Sequence, residues 1–310
     1  MSTPMLLTLA HIVMALMMPI LLVGVINRTK SWWAARKGPS LVQTFHDLRR
    51  LLQKRPVVST TATPLFRLSA YVVLACALLA LSFVPILGQF SPLSFDQDFV
   101  VMAYTLGLAR IVLMLSAMDV GSPFEAMGAA REASFGAFAE PALFLLLGTL
   151  SAATGMGSFA DMLGHLHNTT YYALIVLPLA LALLILLQTE AARVPVDDPL
   201  THLELTMIHE VMILDHSGPE LAAMQYAAGL KMTIYAGLIA TLLNPFAPLD
   251  APLAAIVTSV LLMLAVAVVV GCFESLMARL PLCWVPSYVW LAGWLVALAA
   301  LTVGVTGTSL

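Results

Sequence analysis

The sequence predicts an all-α integral membrane protein: eight transmembrane helices with amphipathic helices on the cytoplasmic side. Three observations carry this. Hydrophobic residues make up 61% of the 310 positions and charged residues only 10%, with a mean hydropathy of +0.96, whereas a soluble domain is about 25% charged. Apolar runs of about 18 to 23 residues recur eight times, each long enough for a hydrocarbon core of about 30 Å. All fourteen lysines and arginines except Arg110 and Lys231 fall on one side of that ladder. Because the cations are gathered beside the membrane and form no separate basic domain, nucleic acid is excluded as a partner.

The runs cover 5–26, 68–87, 99–118, 137–156, 171–188, 221–243, 252–273 and 284–303. The first has no basic residue before it and no small-residue cleavage site behind it, so it reads as retained helix and not as a signal peptide. Arg28, Lys30, Arg36, Lys37, Arg49, Arg50, Lys54, Arg55 and Arg67 lie in or beside the first loop, and Arg131, Arg193 and Arg279 follow at alternate loops. Cytoplasmic loops are therefore expected at about 27–67, 119–136, 189–220 and 274–283, with both termini periplasmic. With no soluble domain or evident repeat, 1–310 reads as one polytopic membrane domain.

Two of these loops have a pattern of their own. After Gly38-Pro39, Leu41, Phe45, Leu48 and Leu52 recur at helical spacing while His46, Asp47, Arg49, Arg50 and Lys54 fill the other face, until Pro56 ends the pattern. This is an interfacial amphipathic helix, and its cations suit either anionic lipid headgroups or a docked subunit. The loop between Glu190 and Glu220 holds Glu190, Asp197, Asp198, Glu204, Glu210, Asp215 and Glu220 together with His202, His209 and His216. Leu200, Leu203, Met207, Val211 and Leu214 predict a helix of about four turns, stopped by Ser217-Gly218-Pro219. His209-Glu210 is not a zinc motif, because H-E-x-x-H needs histidine where Ile213 stands. Histidines seven residues apart are separated by about 10 Å along a helix and cannot share one metal.

Charges inside apolar spans are the candidates for chemistry. Arg110 and Lys231 cost about 2.5 to 3.5 kcal/mol each on insertion scales, and Glu140 enters the fourth run just before Pro141. Such groups are proton-relay candidates, or else ion pairs that hold helices together. Glu132 lies eight residues from Glu140, about 12 Å along a helix, so water or a third side chain must stand between them. Ser122, Pro123 and Glu125 fit a capping box, and Glu274 reads as interfacial. Cys76, Cys272 and Cys283 are scattered and form no C-x-x-C pair, so no cofactor or metal is expected on this chain.

Arg36-Lys37-Gly38-Pro39 followed by Gln43, Asp47, Arg50 and Lys54 resembles the first cytoplasmic loop of the membrane component that joins the two arms of respiratory complex I. Glu190-Ala191-Ala192-Arg193-Val194-Pro195-Val196-Asp197 is similar to that family's E-x-x-R-x-P-x-D loop, and Asp215-His216-Ser217-Gly218 to its E-Y-S-G. The residues from Ser116 through Asp119 to Pro123-Phe124, with Gly128-Ala129-Ala130-Arg131-Glu132 and Gly229-Leu230-Lys231, more closely resemble the corresponding subunit of energy-converting nickel–iron hydrogenases, including formate hydrogenlyase and hydrogenase-4. Ala228 stands where complex I carries a glutamate, and Thr201-His202-Leu203-Glu204-Leu205 is a thinned form of its acid-rich pattern.

The resemblance implies the eight-helix fold of that arm-joining complex I component, in a bacterial or archaeal cytoplasmic membrane. It implies a proton-translocating hydrogenase complex, with the nickel–iron centre and iron–sulfur clusters on peripheral large and small subunits and antiporter-like subunits alongside in the bilayer. Arg36, Gln43, Asp47, Arg49, Arg50, Lys54, Glu190 and Arg193 are the expected docking residues. Glu140, Asp197, Glu204, Asp215 and Lys231 are the expected charge path, with Glu132 and Asp119 at its cytoplasmic mouth and Arg110 as electrostatic partner. Two rivals stay open: the equivalent subunit of a quinone-reducing or nickel-free relative, and a stand-alone secondary transporter.

Overall fold

The computed structural model describes residues 3–167, 172–197 and 207–306. In chain order the helices are α1 (Thr3–Trp33), α2 (Gln43–Leu52), α3 (Pro64–Phe83), α4 (Asp98–Asp119), α5 (Pro123–Thr154), α6 (Phe159–Leu166), α7 (Tyr172–Glu190), α8 (His209–Met212), α9 (Gly218–Leu243), α10 (Pro252–Leu276) and α11 (Val285–Thr306). Among the described residues, eight of them (α1, α3, α4, α5, α7, α9, α10 and α11) are long and apolar enough to cross a bilayer. The protein is a multi-pass membrane protein of all-helical build.

Several boundaries differ from the sequence expectation for one reason: helices continue past the apolar run wherever propensity and capping allow. Helix α1 runs on through Arg28 and Lys30, where the sequence predicts a loop. The expected 119–136 loop is mostly helix, because Pro123 occupies the first position of α5 and its fixed φ suits a helix start. At the other end Gly155 takes a left-handed φ of 68° and donates its N–H to Ser151 O at 2.8 Å. Inside α5, Pro141 withholds the N–H that would meet the Ala137 carbonyl.

The loop between α7 and α9 also departs from expectation. The expected helix is described only from Met207 onward, where it forms the single turn α8; Asp198, Leu200, His202, Leu203 and Glu204 lie outside the described residues. Ser122 makes no side-chain cap, and Glu125 Oε1 instead accepts the Asp215 N–H at 3.0 Å, binding α5 to the end of this loop.

Lipid tails are as apolar as leucine, so helices in a bilayer gain little by hiding hydrocarbon from one another and associate through close packing and polar ties. Helices α3 and α4 show this. Ser69, Ala70, Ala77 and Ala80 of α3 and Ala109, Ser116 and Ala117 of α4 are buried small residues, the two helices pack together, and Ser69 Oγ donates to Ser116 Oγ at 2.8 Å. The most enclosed span is α9, which packs on α1, α3, α7 and α10. Its Gly229 lets α1 approach so closely that a Cβ there would lie 3.0 Å from Pro19 Cβ. On the outside α2 lies against α1 and α9, with Leu48 tucked onto Ile20 and Ala222, while Arg49, Arg50 and Lys54 remain exposed.

Candidate functional site

A buried guanidinium organises the interior. Arg110 projects from the middle of α4, and its side chain is 6% exposed. Gly136 on α5 makes room for it, since a Cβ at that position would lie 2.8 Å from Arg110 Nη1. The three donor directions go to three carboxylates from two further helices. Nε donates to Glu132 Oε1 at 3.1 Å, Nη1 to Glu140 Oε1, and Nη2 to Glu190 Oε1. The planar fork of arginine suits this task, because it offers fixed donors in several directions and stays charged. The side chain required between Glu132 and Glu140 is therefore Arg110.

The carboxylates differ in surroundings. Glu190 is as buried as Arg110 at 6%, Glu132 is mostly covered, and Glu140 is 46% exposed, lying against Gly107 between α4 and α5. Lys231 on α9 is buried close by and makes no ion pair within 4.0 Å among the described residues, yet its charge acts on Glu132, Glu190 and His209. Three carboxylates against one guanidinium and one ammonium leave the cluster one negative charge in excess when all are ionised.

The remaining predicted path residues have other partners. Asp197 Oδ2 accepts the backbone N–H groups of Ile208 and His209 at 3.0 Å each, and its Oδ1 faces Arg279 Nη2 at 3.2 Å. Asp119 accepts from Thr63 N at 2.8 Å and from Thr63 Oγ1 at 2.9 Å, fixing the start of α3 to the end of α4. Asp215 is exposed, and its backbone N–H is taken by Glu125. The cluster thus brings together Arg110, Glu132, Glu140 and Lys231 from the predicted path.

Two expected docking residues prove to be interior. Glu190 is a partner of Arg110, because the E-x-x-R motif begins on the last turn of α7 and not in a free loop. Arg193 is largely covered and faces Glu274 at 3.6 Å; Glu274, expected to be merely interfacial, has a side chain with no exposure and meets Lys30 Nζ at 2.8 Å. Arg36, Arg49, Arg50 and Lys54 are exposed, while Gln43 and Asp47 are half-buried and bond each other at 2.9 Å.

A second polar chain escapes the sequence reading. Arg67 Nε donates to Glu220 Oε1 at 2.8 Å, His216 Nδ1 stands 3.9 Å from Glu220 Oε2, and His216 Nε2 lies 3.3 Å from Ser116 Oγ. The imidazole is stacked on Phe66 at 3.9 Å between ring centroids, and burial lowers its pKa to about 4. Among the described residues no three His, Cys, Asp or Glu side chains are grouped to hold a metal.

Two cavities lie beside the cluster, next to the segment that follows α7. The larger, about 210 Å³, is bounded by Asn27 and Val23 of α1, Thr44 of α2, Ala192 and Arg193, His209 and Glu210, and Gln225 and Ala228 of α9. The smaller, about 10 Å³, touches Arg110, Glu132, Glu190 and Asp197 and shares Ala192 with the first.

The fold and the site together define a polytopic membrane protein with an ion cluster drawn from several of its helices. The chain belongs to the NADH dehydrogenase family, whose sequence profile matches residues 6–305. It is 28% identical to hydrogenase-4 component C of Escherichia coli strain K12 over 302 residues, 94% of this chain and 93% of that protein. It is 27% identical to formate hydrogenlyase subunit 4 of the same organism over 276 residues, 87% and 89% of the two chains. A chain of the membrane-bound sulfane sulfur reductase, an archaeal respiratory membrane complex, superimposes with a TM-score of 0.82, at 18% identity, over 96% of this chain and 99% of that one. This last likeness is one of fold.

Proposed function

We propose that this chain is the membrane subunit of a respiratory hydrogenase-type complex that holds a peripheral redox arm at its cytoplasmic face and couples electron transfer there to proton movement. The relatives by sequence are hydrogenase and formate hydrogenlyase components. In this reading the nickel–iron centre and iron–sulfur clusters belong to peripheral large and small subunits, antiporter-like subunits lie alongside in the bilayer, and both termini are periplasmic. The exposed cations Arg36, Arg49, Arg50 and Lys54 form the docking surface.

The observation that carries the coupling role is the Arg110 cluster. Charges from α4, α5 and α7, with Lys231 of α9 beside them, share one buried site directly beneath the loop that follows α7. A small change in that loop alters the field at every member, and with it the number of protons the cluster holds. The half-exposed Glu140 is the member from which a proton can leave toward a neighbouring subunit.

The test is Glu140→Gln and Lys231→Met in the whole complex. Each variant is expected to assemble and to reduce or evolve hydrogen with an artificial electron carrier, while proton transport into vesicles collapses. Full transport in both assembled variants would show that the path runs elsewhere, and loss of assembly would mark the two residues as structural.

A further inference from the structure

His209 borders the larger cavity and lies within electrostatic reach of the ion cluster. It is part of the cavity wall, and its Nε2 is buried with no hydrogen-bond partner among the described residues. Its backbone N–H is held by Asp197, so the residue is fixed from the main chain while Nε2 is left without a partner. The charges that act on the ring are Lys231 of α9 and Glu190 of α7, both belonging to the cluster. Arg193 and Glu210 also border the cavity, and Asn27, Thr44 and Gln225 give its wall the polar groups that hold water.

We propose that this cavity of about 210 Å³ is a water-filled entrance on the cytoplasmic side, and that His209 is the relay carrying protons from it to the Arg110 cluster. The proposal rests on the proton-coupling reading above and adds to it a point of entry and the group that works there.

The step balances as two transfers. A hydronium in the cavity gives its proton to the neutral imidazole, leaving water and an imidazolium; the imidazolium passes a proton to a cluster carboxylate, Glu190 being the one it feels, and returns to the neutral ring. At rest the ring is held neutral, since burial and the Lys231 ammonium bring its pKa to about 4 against the opposing pull of Glu190. A displacement of the loop that moves His209 from Lys231 toward Glu190 raises its proton affinity. Uptake is thereby tied to conformation.

The test uses the assembled complex and two readouts. In cytoplasmic-side-out vesicles, His209→Gln is expected to lower the protons moved per electron transferred by about a hundredfold, within the range contributed by positioned acid–base groups. Independently, Cys76, Cys272 and Cys283 are replaced by alanine and Ala228→Cys is introduced on the cavity wall. A charged, membrane-impermeant methanethiosulfonate is expected to modify it from the cytoplasmic side only. If His209→Gln does not assemble, Ala228→Met, which puts a bulky side chain on the cavity wall, is expected to give the same loss of transport. A full proton-to-electron ratio in His209→Gln, or in Ala228→Met where that variant decides, or a cysteine at 228 inert from both sides, overturns the proposal. Where Glu140→Gln and Lys231→Met abolish transport and His209→Gln does not, the relay falls and the cluster stands; where all retain transport, the coupling reading falls with it.

Discussion

At the scale of single residues, the cluster depends on one position that has no side chain. Gly136 lies opposite the Arg110 guanidinium, and a methyl group there must push it away from its carboxylates. Gly136→Ala is therefore expected to destabilise the solubilised protein by about 1 to 3 kcal/mol, the usual cost of overpacking a filled interior. Gly148→Ala on the same helix meets nothing within 4 Å and is expected to be neutral or stabilising by up to about 1 kcal/mol. Thermal midpoints of the pair in detergent check this, and equal destabilisation would remove the steric argument. Arg110 could be read from the sequence because an arginine inside an apolar run is costly unless it has partners. The identity of Gly136 as its seat could not be read, because a glycine in a small-residue helix face looks the same whether it faces lipid, a neighbouring backbone or a guanidinium.

At the scale of elements, polar ties between helices carry pH dependence. His216 lies between Phe66 of α3, Ser116 of α4 and Glu220 of α9. Its pKa is about 4 in the folded protein and 6.5 for an ordinary histidine, so between those values the unfolded chain binds a proton that the folded chain refuses. The stability this represents is complete above pH 6.5 and is lost as pH falls toward 4, by up to about 3 kcal/mol. The thermal midpoint is expected to fall over that window, and His216→Gln to make the fall shallower; an unchanged slope would rule His216 out as its source. Helix α2 is the other informative element. Reversing Arg49 and Arg50 to glutamate should release the peripheral arm in blue-native gels without unfolding the spans, since exposed cations contribute little to folding but can govern assembly. A complex of unchanged size would favour lipid contact as the role of these charges.

At the scale of the whole molecule, the eight spans were legible because a bilayer demands apolar runs of a fixed length, and the amphipathic α2 because Leu41 to Leu52 keeps a helical period. Not every helix end was legible. The last turns of α1 carry Arg28 and Lys30, which read as loop although they continue the helix, whereas the start of α5 at Pro123 was legible in the Ser122, Pro123 and Glu125 pattern. The Arg67, Glu220 and His216 chain was hidden by distance, since Arg67 and Glu220 are 153 residues apart. The expectation that metal centres reside on partners is also a property of the whole. The purified complex should contain iron with an iron–sulfur subunit, and this polypeptide separated from it should contain no stoichiometric iron, nickel or zinc by elemental analysis. A stoichiometric metal on the isolated chain would overturn that assignment.

Helix α5 has 32 residues, about 48 Å of continuous helix against a hydrocarbon thickness of about 30 Å. The surplus extends the same helix that bears Glu132 and Glu140, with Glu125 near its end fastened to the loop preceding α9. A helix does not compress along its axis on the scale of these displacements, so a tilt or thrust received at Pro123 arrives at Glu132 within the same rigid rod. The first place able to flex is Pro141, and Glu140 is the residue immediately before it. The two acids flanking Arg110 on this helix are thus mechanically unequal: one rides on the shaft, the other sits at its joint, and any motion of the shaft relative to α4 changes the spacing of the first pair before the second.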